Sequence, residues 1–186
     1  MPLRWIALLL VLVPFALPAQ VPYKSTELSL TFPAELGGMR LVKVTDYEQQ
    51  SPGLGTGLSY RSPNEKADLY IYRGGPGPAP AGIDSAEFLK HFDQVIGDVL
   101  EMEKSGHYSK VTITVPRENI TIGQQPFLHA EIHFTHQNEA RVSHIYLTVL
   151  RQQYFKIRYT YLVSESAEGQ KVLSELLKSL DLVFKF

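Results

Sequence analysis

Between Phe127 and His136 the odd positions carry His129, Glu131, His133 and Thr135, while the even positions Leu128, Ala130, Ile132 and Phe134 are apolar. That alternation sets two imidazoles and a carboxylate on one face of a strand. A further imidazole, His144, sits in the next alternating stretch, Arg141 to Leu150. Imidazoles and a carboxylate converging on one point would hold zinc or another divalent ion at about 2.0–2.2 Å. The candidate metal ligands are therefore His129, Glu131, His133 and His144. Lys156 and Arg158, in the stretch that follows, work against that chemistry because they repel a cation. Joined by a protonated His129 or His144, they would instead receive a carboxylate or a phosphate. The plainer use of the same residues is structural, with Glu131 neutralising Arg158 and the histidines bonding Thr160 and Tyr146.

Other chemistries lack their residues. The chain has no cysteine, which removes thiolate nucleophiles, disulfides, iron–sulfur clusters and cysteine zinc sites together. No Gly-x-Ser-x-Gly elbow occurs, and Ser143 and His144, as strand neighbours, point to opposite faces. Gly53-Leu54-Gly55-Thr56-Gly57 leads into a strand and offers no helix N-terminus to a phosphate, so it reads as a loop. No catalytic residue is assigned, and no cofactor is expected other than that divalent metal. With 18 Lys plus Arg against 19 Asp plus Glu and a net charge of −1, there is no broad basic field for nucleic acid.

The elements that must position these residues follow from hydrophobic period. Leu28, Leu30 and Phe32, then Met39 to Tyr47, Leu58 to Arg61 and Ala67 to Tyr72, read as strands. A turn over Pro63 to Lys66 would set Tyr60 opposite Leu69, Leu58 opposite Ile71 and Arg61 beside Asp68. Asp84 caps a helix whose apolar positions are Phe88, Phe92, Val95, Ile96 and Val99, leaving Glu87, His91, Gln94, Asp98 and Glu101 as a solvated stripe. Strands through Val111 to Val115, Phe127 to His136, Arg141 to Leu150 and Tyr154 to Tyr161 precede a second helix, capped by Ser166, with Val172, Leu173, Leu176, Leu177 and Leu180 apolar. A turn at Asn138-Glu139 pairs Ile132 with Ile145, and a loop over Arg151 to Gln153 pairs Ile145 with Tyr159. The polar face then carries three rows: His129, Thr148, Lys156; Glu131, Tyr146, Arg158; and His133, His144, Thr160. Facing side chains in a row stand about 5 Å apart at Cβ.

At the start of the chain, Arg4 precedes an apolar run from Trp5 to Val13, followed by Pro14 and the exit Leu17-Pro18-Ala19. This is the pattern of a secretory signal peptide, residues 1–19, with residues 20–186 as one α+β domain. The run is shorter than the roughly 20 apolar residues a spanning helix needs, so no stable membrane span is expected and the location is periplasmic or secreted. Short links between strands favour one antiparallel sheet, flanked by the two helices as an αβα sandwich. This order, with the aromatic-rich strand Tyr154-Phe155-Lys156-Ile157-Arg158-Tyr159 leading into a C-terminal amphipathic helix, resembles the PsbP-like fold and its exported DcrB-type bacterial proteins. The resemblance implies a soluble accessory or binding domain without established enzymatic activity, and it carries over no functional residue. The leading expectation is a non-enzymatic envelope domain that binds a partner protein or small ligand. Its rivals are a metal-binding protein or metal-dependent enzyme using the histidine cluster, and a structural subunit of an envelope complex.

Overall fold

Paired residues in left-handed backbone conformation close both hairpins of the C-terminal half. Gln137 and Asn138 (φ 53° and 64°) follow strand Gln125–His136, and Arg151 and Gln152 (φ 47° and 65°) follow strand Glu139–Leu150. Two consecutive positive-φ residues are the mark of the type I′ turn, whose twist matches that of the flanking strands. The computed structural model describes residues 21–185 except 76 and 81. The expected signal peptide lies outside the described residues.

The elements run β1 (Tyr23–Ser25), β2 (Leu30–Phe32), β3 (Glu35–Leu36), β4 (Met39–Asp46), β5 (Thr56–Arg61), β6 (Lys66–Tyr72), α1 (Ala86–Lys104), β7 (Ser109–Ile122), β8 (Gln125–His136), β9 (Glu139–Leu150), β10 (Gln153–Leu162) and α2 (Ser166–Phe184). Instead of a single sheet there are two: a ribbon of β1 and β2, and an eight-stranded antiparallel sheet in the order β3-β4-β5-β6-β10-β9-β8-β7. Ser85, not Asp84, caps α1, its Oγ accepting from the Phe88 amide at 3.2 Å. Ser166 is the first residue of α2 and follows a short 3-10 turn, Val163–Glu165.

The observed turns change the register: those of β8–β9 and β5–β6 lie one residue earlier than expected, and that of β9–β10 is one residue shorter. Ala130 stands opposite Ile145 and Ile132 opposite Ser143, a slip of two residues from the expected pairing. A slip of two preserves faces. In the next hairpin the slip is one residue: Arg158, not Tyr159, stands opposite Ile145, and Lys156 opposite Leu147. A slip of one reverses every side chain, so Lys156 and Arg158 lie on the face opposite His129 and His144. The hairpin of β5 and β6 also slips by two, pairing Leu58 with Leu69. Arg61 still reaches Asp68, diagonally, at 2.8 Å.

Two cores result. On one face Phe127, Tyr146, Phe155, Ile157 and Tyr159 pack with the inward side of β4, β5 and β6 and with Leu176, Leu180 and Val183 of α2. On the other, Leu128, Ala130, Ile132, Ile145 and Leu147 pack with Phe88, Phe92, Val95, Ile96 and Val99 of α1. Full burial of each such side chain stabilises by roughly 1.5–3 kcal/mol. Among the described residues, no helix is long and apolar enough to cross a membrane.

Candidate functional site

The structure does bring His129, Glu131, His133 and His144 together, but it turns their donor atoms on one another. The register sets Glu131 opposite His144 and His129 opposite Tyr146, with His133 opposite Val142 and not His144. His129 Nδ1 lies 2.6 Å from Glu118 Oε1, and its Nε2 lies 3.1 Å from His144 Nδ1. These contacts are satisfied if His129 donates to Glu118 and His144 donates to His129. That arrangement leaves His144 Nε2 a buried acceptor with no partner. His133 Nε2 sits 2.9 Å from Glu131 Oε1, which also accepts from Thr114 Oγ1 at 2.7 Å. Among the described residues no group of three or more His, Asp or Glu is arranged to hold a metal ion.

Burial sets the electrostatics of this cluster. His129 and His144 are each 6% exposed, and their rings stack with Tyr146 and Tyr161. Burial, with the neighbouring His129, pushes His144 down to about 4. Burial alone would raise Glu131, but the Thr114 hydroxyl and the His133 imidazole outweigh it and hold the carboxyl below its usual range. Glu131 does not neutralise Arg158, because the two occupy opposite faces.

The other face carries a second cluster. Helix α1 covers the sheet over β7, β8 and β9 and reaches Tyr154 of β10 and Tyr72 of β6, but its core includes no residue of β4 or β5. Beyond α1, the sheet presents a row running from Arg61 through Lys66 and Thr160 to Ser143, and a second from Ser59 through Asp68 to Arg158. A third row runs from Gly57 through Tyr70 to Lys156. Lys156 Nζ lies 4.5 Å above the Tyr70 ring and 5.7 Å from that of Tyr72, a cation–π bed. Arg158 lies over Tyr108 and Phe134 and donates to Ser143 Oγ and Tyr108 Oη, both at 3.2 Å. Arg141 pairs with Glu139, yet its Nε is buried without a partner. Neither Lys66, Lys156 nor Arg158 has a carboxylate within ion-pair distance among the described residues. Burial lowers the Lys66 ammonium, and Arg158 lowers it further. It lowers Lys156 too, with Asp98 of α1 acting in the opposite sense.

Sequence reasoning named Lys156 and Arg158 but missed Arg61, Lys66 and Arg141 as their neighbours. The available signal was the alternation Lys66, Asp68, Tyr70, Tyr72 along β6, a polar face in its own right. His91, assigned to a solvated stripe, is half-buried and contacts Tyr72 Oη at 2.8 Å. The glycine loop is not a phosphate cradle, because Glu48 already accepts from the amides of Gly53 at 2.9 Å and Gly55 at 3.2 Å. A cleft of about 530 Å³ lies elsewhere, between the β1–β2 ribbon and the end of α2, where Asp181 pairs with Lys185.

The fold is of the PsbP-like class. Its sheet and helices match the solution structure of cyanobacterial PsbP (CyanoP) from Synechocystis sp. PCC 6803 at a TM-score of 0.51 and 12% identity, over 83% of this chain and 89% of that one. Lower scores relate it to a protein of unknown function from Pseudomonas aeruginosa (0.43, 12% identity, 85% and 93% covered). LpqN of Mycobacterium tuberculosis, described as involved in cell envelope biogenesis, scores 0.41 (10% identity, 74% and 79% covered). At such identities only the fold is shared. No family model and no curated protein sequence matches the chain.

Proposed function

We propose that this chain is a non-enzymatic accessory domain, exported after loss of residues 1–19, that binds an acidic protein partner through the half of the sheet left open beside α1. The observation that carries the reading is charge segregation. A chain with a net charge of −1 gathers Arg61, Lys66, Arg141, Lys156 and Arg158 on one surface, where Asp68 and Glu139 are the carboxylates paired with them. Such a patch raises the encounter rate with an acidic surface and fixes its orientation. A photo-crosslinker at Ser59, in cells exporting the full chain, should give a discrete adduct that the double reversal Lys66→Glu, Arg158→Glu abolishes. An adduct that survives the reversal, or none at all, sinks the reading.

The unpartnered His144 Nε2 supports a second reading, a divalent ion held by His129, Glu131, His133 and His144 after the His129–His144 bond opens. Calorimetric titration with zinc separates the two: uptake by the wild type that is lost in His144→Gln favours the metal, and no uptake removes it. A structural subunit of an envelope complex would instead reveal itself by stoichiometric co-purification through a surface other than the cationic one.

A further inference from the structure

The register brings the unpaired cations of the open face around a buried pair of hydroxyls. Ser143 Oγ and Thr160 Oγ1 lie 3.0 Å apart, at 0% and 1% residue exposure, so the pair lies beneath the neighbouring side chains of its row, and either one donates to the other. Lys66 stands directly opposite Thr160, in the same row. Arg158 Nε already donates to Ser143 Oγ. Arg141, two residues before Ser143 and therefore on the same face, is held by Glu139 through one terminal nitrogen while its Nε remains buried and unpartnered. An unmet buried donor costs more than a made hydrogen bond contributes, and cations crowded without counter-charge repel one another. Both costs are relieved by a single acceptor-rich group of negative charge.

We propose that Lys66, Arg141 and Arg158, over the Ser143–Thr160 hydroxyl pair, form a binding site for one oxyanion group, a carboxylate or a phosphate. The site rests on the reading of the open face as the contact surface, and supplies the point at which a partner's acidic group is anchored. Guanidinium forks suit such planar or tetrahedral oxygens, and the ammonium adds a point charge. Arg61 does not take part, because its guanidinium is committed to Asp68 at 2.8 Å and to the Tyr60 carbonyl at 2.7 Å. Glu139 is the internal competitor for Arg141. Its side chain is 49% exposed against 17% for Arg141, so Glu139 is the partner that can turn out to solvent when another oxyanion takes its place.

The test is a titration of the exported chain with sodium phosphate and, separately, sodium acetate, at constant ionic strength set by chloride. The Nε–H resonances of the arginines are followed by NMR. Saturable shifts of Arg141 and Arg158 are expected, with affinity weakened about tenfold or more in Lys66→Gln and in Arg158→Gln. Saturation by phosphate alone identifies a phosphate group, and saturation by both anions identifies a carboxylate-tolerant site. Shifts no greater than chloride produces, or shifts unchanged in Lys66→Gln, overturn the proposal. A flat titration beside an intact Ser59 adduct sinks the oxyanion site and leaves the partner surface standing. Saturable binding without the adduct does the reverse.

Discussion

A neutral imidazole buried among aromatic rings ties stability to acidity. His144 ordinarily titrates near 6.5 and in the fold near 4. The unfolded chain therefore takes up its proton first as the solution is acidified. Stability is full above pH 6.5 and falls as pH drops toward 4, by about 3 kcal/mol for this group. Glu131, held below its usual range, adds a loss in the same direction at lower pH. His91 is also lowered, by burial and then by Lys156, so the quantity to measure is a difference. Urea midpoints between pH 6.5 and 5 should fall more steeply for the wild type than for His144→Gln, and equal slopes would refute the assignment. The presence of the histidines on one strand face was legible from alternation alone. Their bonding was not, because it depends on which cross-strand residue each meets, and turn geometry decides that.

Turn geometry is a property of elements, and here the sequence was least informative. Neither Gln137-Asn138 nor Arg151-Gln152 contains the glycine that usually marks a type I′ turn, so hydrophobic pattern alone sets the first turn one residue late, at Asn138-Glu139, and gives the second an extra loop residue, Gln153. The first error moved the register by two and left every face correct. The second moved it by one and put Lys156 and Arg158 on the wrong side. Strand β9 gave no warning, since from Val142 to Thr148 it is buried on both faces and its alternation discriminates poorly. Replacing Gln137-Asn138 by Asn-Gly removes a left-handed penalty and should stabilise by about 1 kcal/mol, read as a melting temperature about 2–4 °C higher. Gly169 in α2 behaves oppositely. A helical glycine replaced by alanine ordinarily gains up to about 1 kcal/mol, but a Cβ here would come within 2.4 Å of the Tyr161 ring. The Gly169 carbonyl also accepts from Tyr159 Oη at 2.7 Å. Gly169→Ala should therefore lose about 1–3 kcal/mol, measurable by chemical denaturation.

At the scale of the molecule, the order of strands and helices and the α+β class were readable, because hydrophobic period and helix caps are local signals. The division of charge between the faces was not. It emerges only when β6 meets β10, which sets Arg158 against Asp68 and Thr160 against Lys66 across a separation no local pattern spans. Partner binding through the open face should weaken steeply as salt rises, since the long-range attraction between an acidic surface and this cationic one is screened by added ions. Retention on an acidic resin that is insensitive to salt would contradict this. The β6–β10 seam also governs how the chain assembles. The strands before α1 end in β6, whose partner on that edge is among the last made, so until residues 153–162 arrive Tyr70 and Tyr72 present unmet amides and carbonyls. Such an edge pairs readily with another chain. Pairing across the long intervening stretch from α1 to β9 is slow, so this edge stays open until the C-terminal strand docks. Pulse-labelled hydrogen exchange should accordingly find the Tyr70 and Tyr72 amides of β6, which face β10, protected only together with those of β10.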